Sequence, residues 1–288
     1  MRLSSLPPFA ALARLALARF ALAVFAQAPF ALGQPAAAVP LTPEEIVQAR
    51  ILPGWRLTDG NQMAALELTL ADHWKTYWRA PGDAGIPPSF DWAGSENLAR
   101  VRFHWPRPEL FRLNGETSVG YLNRLVLPIE FVPQQSGAPV AVKAKVRIGV
   151  CNDICVPVEL NLAADLTGPG ATDPAIEAAL AAAPEPAAAA GVTGFRCALR
   201  PISDGLHLVA RIAMPALGSG ETALFETGDP AIWVGATKTL RQGGDLVAEA
   251  DLVPDGAAPF VLDRSRIRIT VLASGRAVEL DGCPAQDG

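Results

Sequence analysis

Between residues 140 and 162 an apolar side chain recurs at every second position, and this alternation constrains the fold more than any other feature. Apolar residues occupy the even positions from Val140 to Val150 and again from Val156 to Leu162. A period of two is typical of a β-strand with one buried face. The interruption, Asn152-Asp153-Ile154, begins with two turn-forming residues. The pattern therefore predicts a β-hairpin with a three-residue loop.

Two of the four cysteines flank this loop. In the predicted hairpin, residues equally distant from Asp153 face each other, so Arg147 meets Glu159 and Cys151 meets Cys155. Directly opposed residues of an antiparallel pair have Cα atoms about 4.5–5.5 Å apart, a distance that a disulfide accepts. The same parity places both cysteines on the charged, solvent-facing side of the hairpin.

A disulfide at this position has little value as a structural bridge. In the chain-entropy description it contributes only about 2 kcal/mol, against roughly 4.6 kcal/mol for a bridge between Cys197 and Cys283. A redox-active disulfide therefore suits Cys151 and Cys155 better than a structural one, although the spacing alone leaves a structural bridge open.

A metal site has weak support. The chain has three histidines, His73, His104 and His207, and none stands at zinc-ligand spacing from a cysteine. Copper held by the two thiols remains an alternative. We predict no metal and no other cofactor.

The rest of the chain predicts an all-β protein. Further alternating segments are separated by turn-formers such as Asp204-Gly205 and Gly243-Gly244. An Ala/Pro-rich linker at 167–191 contains one short helix, Pro174 to Ala183, with Asp173 as its cap. We expect two immunoglobulin-like antiparallel β-sandwich modules, at 34–166 and 192–288, each with two cysteines.

The N-terminus has the pattern of a secretory signal peptide. Three arginines without an acidic residue precede the apolar run Phe20 to Ala26, and small residues permit cleavage after Ala28 or Gly33. We therefore assign 1–33 to a signal peptide, with an uncleaved anchor as the alternative, and predict no stable membrane span in the mature form. Disulfides persist in exported proteins. The net charge of -5 gives no reason to expect a nucleic-acid partner.

Three segments together resemble one known family. These are the hairpin with its Cys155-Val156-Pro157 sequence, His73 to Trp92, and Gly120 to Phe131. They are similar to the N-terminal periplasmic domain of the thiol:disulfide interchange protein DsbD and of the related copper-tolerance proteins ScsB. The resemblance covers about Leu41 to Leu166. The cysteine loop is shorter than in the best-known member. Full-length members also carry transmembrane segments and a thioredoxin-like domain, and the sequence shows no pattern of either. We therefore expect this chain to act as a standalone soluble protein.

The resemblance implies a periplasmic electron shuttle with protein-disulfide reductase activity. A membrane-embedded thiol reductase would reduce the disulfide, and the dithiol would reduce a periplasmic thioredoxin-fold client through a mixed disulfide. By position, Cys155 matches the cysteine that forms the mixed disulfide, and Cys151 the one that resolves it.

The family also covers its cysteine pair with a mobile cap loop. The matching residues precede Gly115 and are Glu109, Leu110, Phe111, Arg112, Leu113 and Asn114. Phe111 or Leu113 would shield the disulfide from stray thiols. Arg147, and Arg112 where it approaches, would favour the thiolate.

The remaining candidates have structural interpretations. Cys197 and Cys283 bracket the second module and are expected to form a structural disulfide between its terminal strands. The aromatic residues Trp74, Tyr77, Trp78 and Trp92 are expected in the core or at its rim, and Arg79 and Asp83 in a turn. The rival to the shuttle is a non-catalytic β-sandwich interaction module, acting in copper tolerance or cytochrome maturation, with two structural disulfides.

Overall fold

A computed structural model describes residues 42–83, 85–257, 260–273 and 275–285, and the predicted signal peptide lies outside them. The expected all-β class is confirmed, because short strands in antiparallel sheets form two sandwiches. In the described part of the chain, no helix has both the length and the apolar character needed to cross a membrane.

The first sandwich follows a short helix, α1 (Pro43–Ile46). Its ten strands are β1 (Val47–Arg56), β2 (Gln62–Leu70), β3 (Lys75–Gly82), β4 (Ser89–Asp91), β5 (Leu98–Phe103), β6 (Glu109–Leu113), β7 (Glu116–Leu122), β8 (Arg124–Pro133), β9 (Val140–Cys151) and β10 (Cys155–Leu166). One sheet has the order β1-β2-β8-β5. The other has the order β10-β9-β3-β7-β6, with β4 also paired to β9.

The β9–β10 hairpin has the register that the alternation predicts. Arg147 pairs with Glu159, and Cys151 with Cys155. The even-numbered side chains of β9 are buried in the core, and those of Val146 and Val150 are almost completely inaccessible. Burial of one face fixes the register, because a shift by one residue would turn every apolar side chain toward water.

Aromatic residues fill the space between the two sheets. Trp78 and Phe131 are fully buried, and Trp92 packs edge-on against Phe131 with ring centroids 5.4 Å apart. Trp74 and Tyr77 are also buried. The expectation that the aromatic residues of the 73–92 segment lie in the core or at its rim is confirmed.

Among its described residues, the second sandwich contains nine strands and two short 3₁₀ turns, Asp255–Ala257 and Arg264–Arg266. The strands are β11 (Glu185–Pro186), β12 (Gly194–Pro201), β13 (Leu206–Ala213), β14 (Thr222–Glu226), β15 (Ile232–Val234), β16 (Lys238–Gln242), β17 (Asp245–Pro254), β18 (Arg268–Ala273) and β19 (Arg276–Asp281). Their sheets have the orders β11-β19-β18-β14 and β12-β13-β17-β15, with β16 also paired to β17.

The Ala/Pro-rich segment between the sandwiches is packed against both of them. Its helix, α2 (Pro174–Ala181), begins where the carboxylate of Asp173 accepts a hydrogen bond from the Ala175 amide at 2.8 Å. Ile176 of this helix is fully buried against Leu52 and Met63 of the first sandwich. Farther along, β11 pairs in parallel with β19 of the second sandwich.

An ion-pair cluster joins the two sandwiches. Arg79 of β3 binds Glu226 of β14 at 2.8 Å and also contacts Glu279 of β19, while its guanidinium lies over the Trp78 ring. The expectation that Arg79 fixes a local turn is therefore wrong, because its partners are 147 and 200 residues away in sequence. Asp83 does lie in the turn that follows β3, and its carboxylate accepts a hydrogen bond at 3.1 Å from the Thr117 amide of β7, 34 residues away.

Candidate redox site

The disulfide between Cys151 and Cys155 closes the tip of the β9–β10 hairpin. The two Cα atoms are 4.1 Å apart. Between the cysteines, the Asn152 amide donates a hydrogen bond to the Ile154 carbonyl at 3.0 Å. Ile154 itself points into solvent. The bond therefore lies at an accessible corner of the molecule.

The two cysteines differ strongly in exposure. Cys155 is exposed, whereas only 1% of Cys151 is accessible. The expectation that both lie on a wet face is wrong for Cys151, because β3 pairs with the end of β9 and covers it. Lys75 stands directly opposite Cys151 in this pairing. Of the two cysteines, Cys155 is therefore the one open to an approaching thiolate.

The segment that follows β3 also covers the end of β9 that carries Cys151. A β-carbon added at Gly149 would lie 2.7 Å from the Ile86 Cβ, so this glycine allows Ile86 to rest directly on the sheet. One strand away, the buried Thr76 hydroxyl donates to the Gly149 carbonyl at 3.0 Å. The end of β9 is thus enclosed on its outer side, which alternation within β9 and β10 does not indicate.

Tyr77 of β3 reaches both sulfur atoms. Its hydroxyl donates a hydrogen bond to the Cys151 sulfur at 3.0 Å and lies 3.5 Å from the Cys155 sulfur. Burial raises the pKa of Tyr77, so the hydroxyl keeps its proton at neutral pH. The sequence placed Tyr77 in the core or at its rim and gave it no part in the redox site. Its spacing of two from Lys75 places both on the same face of β3, but nothing in the sequence shows that this face covers the cysteines.

Lys75 is a cationic residue next to the disulfide that the sequence analysis did not identify. Although it is opposite Cys151 in the sheet, its ammonium group donates to the Ser118 hydroxyl at 3.2 Å and lies 4.9 Å from the centroid of the Phe111 ring. Lys75 therefore connects the strand next to the disulfide with the β6–β7 hairpin. The contact with the ring is a cation–π interaction.

The residues expected to form a cap loop make up one arm and the turn of this hairpin. Glu109, Phe111, Arg112 and Leu113 belong to β6, and Asn114 begins the turn to β7 with a positive φ of 53°. The hairpin forms the edge of this sheet opposite to β10, and β3 lies between it and the β9–β10 hairpin that carries the disulfide. Phe111 is half-buried under the Lys75 ammonium, and Leu113 is exposed.

The two arginines that were expected to favour a thiolate are engaged elsewhere. Arg147 binds Glu159 at 2.9 Å and is four residues from Cys151 along β9, about 13 Å. Arg112 donates to the Thr222 hydroxyl of the second sandwich at 3.0 Å. A hydroxyl donor, Tyr77, is the polar group that meets the sulfurs instead.

The other cysteine pair is enclosed in the second sandwich. Cys197 in β12 is bonded to Cys283, which follows β19, and the two are 1% and 2% accessible. The guanidinium of Arg264 donates to the carbonyls of both cysteines, at 3.1 and 3.3 Å. In the described ranges, no group of three or more histidine, cysteine or acidic side chains is arranged to hold a metal ion.

Comparison with known protein families decides the classification of the first sandwich. The family model for the N-terminal part of the thiol:disulfide interchange protein DsbD matches residues 40–166, which carry Tyr77, Cys151 and Cys155. This segment belongs to the DsbD N-terminal domain family. Membership indicates thiol:disulfide interchange in general. No curated protein sequence matches the chain.

One solved structure supports the same fold. The N-terminal periplasmic domain of ScsB from Proteus mirabilis is 21% identical, with a TM-score of 0.66, and the match covers 86% of this chain and 97% of that one. The similarity therefore extends over both sandwiches. The reduced DsbD N-terminal domain from Neisseria meningitidis is 17% identical and covers 45% of this chain and 91% of its own, with a TM-score of 0.26.

The close approach of Ile86 to Gly149 leads to a prediction about the cover of the site. Gly149→Ala forces Ile86 away from the sheet and should lower the free energy of unfolding by about 1–3 kcal/mol, as overpacking does. Urea unfolding of Gly149→Ala, Ile86→Gly and the double variant measures this effect, because only glycine at position 86 removes the Cβ that the new methyl group meets. The double variant should be more stable than the sum of the two separate losses predicts. Strict additivity would contradict the contact.

Proposed function

We propose that the protein is a periplasmic thiol:disulfide interchange protein, a protein-disulfide reductase that works through Cys151 and Cys155. It receives electrons from a membrane-embedded thiol reductase and passes them to a periplasmic thioredoxin-fold client. The observation that carries this proposal is a hairpin disulfide between one exposed and one buried cysteine. Residues 34–166 are the redox module, 167–191 the connection and 192–288 a second module. Residues 1–33 direct export.

The unequal exposure supports one order of events. A thiolate of the donor attacks the Cys155 sulfur, a new bond joins those two sulfurs, and the electron pair of the old bond moves to Cys151. The second thiolate of the donor then attacks the donor sulfur that is bonded to Cys155 in the mixed disulfide. Cys155 leaves as a thiolate, and the donor becomes oxidised. Two electrons have passed to the protein.

Delivery to the client reverses this order. The Cys155 thiolate attacks the client disulfide and forms a mixed disulfide, and one client sulfur leaves as a thiolate. Cys151 then attacks the Cys155 sulfur, which restores the hairpin disulfide and releases the client dithiol. The exposed cysteine makes the intermolecular contact in both directions, and the buried one resolves it.

The second disulfide has the opposite character. Both Cys197 and Cys283 are buried, and Arg264 holds both of their carbonyls. The loop that this pair closes is long, so the bond limits the unfolded chain far more than the hairpin disulfide does. We assign it a structural role.

Selective reduction tests the proposal. Dithiothreitol at low concentration should open Cys151–Cys155 within minutes and leave Cys197–Cys283 intact, because only the first bond includes an exposed cysteine. Alkylation at timed intervals, followed by mass spectrometry of the peptides, identifies the bond that has opened. Chemical denaturation before reduction is the control and should remove the difference. Equal resistance of the two bonds in the folded protein would contradict the proposal.

The cysteine roles predict which variant traps a partner. Cys151→Ser should accumulate a mixed disulfide through Cys155 with a thioredoxin-fold protein, because the resolving thiol is missing. Cys155→Ser should accumulate little, because Cys151 is covered. Non-reducing gels of periplasmic extracts and mass spectrometry of the adduct give the measurement. Trapping through Cys151 alone would reverse the assignment.

The β6–β7 hairpin is proposed as the cap of the disulfide, with Phe111 as its shielding side chain. The contact between the Lys75 ammonium and the Phe111 ring supports this role, because it ties the hairpin to the strand beside Cys151. Glu109, Arg112, Leu113 and Asn114 would form the frame and tip of the cap.

Removal of the ring tests the cap. Phe111→Ala should increase the rate at which glutathione reduces the disulfide by about threefold or more, since a cation–π contact of about 0.5–1 kcal/mol no longer holds the cover. Leu240→Ala, which removes a partly exposed apolar side chain of β16, is the matched control. Equal rates in wild type and Phe111→Ala would exclude shielding by this residue.

One observation favours the rival function of a non-catalytic interaction module. A cleft of about 630 Å³ lies between the sandwiches and is lined by Gly82 and Asp83 of the first and by Phe225 and Trp233 of the second. Trp233 is 55% exposed. A cleft with an exposed aromatic side chain is typical of a binding surface. Resistance of both disulfides to reduction would favour this function over interchange.

A further inference from the structure

We propose that Tyr77 is a catalytic residue of the disulfide exchange, whose hydroxyl stabilises Cys151 as the leaving thiolate when a partner attacks Cys155. The inference rests on the proposed function and deepens it. A hydrogen-bond donor on a neighbouring strand then determines which sulfur leaves, together with the difference in exposure between the two cysteines.

The position of the hydroxyl is fixed by packing. Tyr77 is 3% accessible, and Gly120 stands opposite it on β7. A β-carbon at Gly120 would lie 3.0 Å from the Tyr77 Cα, and one at Gly85 would lie 2.9 Å from the Tyr77 Cδ1. Gly120 thus allows the backbone of β7 to approach that of β3 closely, and Gly85 allows close packing against the tyrosine ring. The ring has little freedom to move its hydroxyl away from the sulfurs.

The hydroxyl is closer to the sulfur that leaves. It is 3.0 Å from the Cys151 sulfur and 3.5 Å from that of Cys155. Attack on Cys155 breaks the bond between the two sulfurs and places the electron pair on Cys151. A hydrogen bond to an anionic sulfur is stronger than one to a neutral disulfide sulfur. The donor therefore stabilises the transition state more than the ground state, which is the requirement for catalysis.

Water does not supply this stabilisation at Cys151. Because the residue is 1% accessible, a thiolate formed there is cut off from bulk solvent, and an unsatisfied buried charge is costly. Tyr77 keeps its own proton, since burial raises the pKa of its hydroxyl. The step therefore needs no proton transfer. The hydroxyl donates throughout, and the negative charge stays on sulfur.

The same contact acts in the return direction. When Cys151 resolves a mixed disulfide on Cys155, it must first become a thiolate, and the Tyr77 hydroxyl increases the thiolate fraction at a given pH. The incoming thiolate is then held 3.0 Å from its donor and next to the sulfur that it attacks. Stabilisation of Cys151 thus assists both opening and closing of the hairpin disulfide.

Removal of the hydroxyl tests the inference. Tyr77→Phe keeps the ring and should slow the reduction of Cys151–Cys155 by dithiothreitol by about tenfold, the effect of one hydrogen bond to a charged group. Tyr121→Phe is the matched control. It is the second of the two tyrosines, is also buried, and donates its hydroxyl to the Pro106 carbonyl at 2.7 Å, not to sulfur. It should react at the wild-type rate.

A second measurement isolates Cys151. The reduced protein reacts with Ellman's reagent at Cys155, and the attack of Cys151 on that mixed disulfide releases a second coloured thiolate. In Tyr77→Phe, the pH at which this second phase reaches half of its maximal rate should rise. In Tyr121→Phe, it should not change. Incorporation of 3-fluorotyrosine at position 77, a stronger donor of the same shape, should accelerate reduction at a pH where it stays protonated. This variant tests the inference even where Tyr77→Phe folds poorly.

The outcomes separate this inference from the proposed function. Reduction of Tyr77→Phe at the wild-type rate, with an unchanged pH profile, would overturn the role of Tyr77 and leave interchange intact. Equal slowing of Tyr121→Phe would also overturn it, because loss of any buried hydroxyl would then suffice. Resistance of the wild-type hairpin disulfide to dithiothreitol would refute the proposed function itself.

Discussion

The short pairing between β3 and the end of β9 is the interaction on which the candidate site depends. Only Lys75 and Thr76 of β3 pair with β9, opposite Cys151 and Val150, and the buried Thr76 hydroxyl reinforces this pairing through the Gly149 carbonyl. Without it, both cysteines would lie at an open hairpin tip. With it, Cys151 is covered, Cys155 remains exposed, and the disulfide becomes chemically asymmetric.

The same strand also reaches the second sandwich. Along β3, Tyr77 meets the sulfurs, Trp78 fills the core and Arg79 binds Glu226 and Glu279. A half-buried arginine with two acidic partners is costly to leave unpaired, so the position of β3 is coupled to the presence of the second sandwich. This coupling gives the second sandwich a structural part in the site, although it contributes no residue that touches the disulfide among those described.

Local features of the fold could be predicted from the sequence, because they depend on period and turn chemistry. The hairpin register, the opposition of Cys151 and Cys155, and the helix that begins after Asp173 all depend on neighbours within a few residues. The partners of Tyr77 and Arg79 could not be predicted, because strand order decides them. The contact of Tyr77 with Cys151 spans 74 residues, and that of Arg79 with Glu279 spans 200. Parity within one hairpin assigns a face to each residue, but it does not show whether another strand covers that face.

The equilibrium reduction potential of the Cys151–Cys155 pair tests the central claim most directly. It is measured by equilibration of the folded protein with glutathione or dithiothreitol buffers and quantification of the reduced peptide. An exchangeable disulfide should have a potential clearly less negative than about -300 mV, whereas structural disulfides of secreted proteins usually lie below that value. A potential above it, with Cys197–Cys283 below it, is the predicted result. A value for Cys151–Cys155 as negative as that of the buried pair would contradict the account.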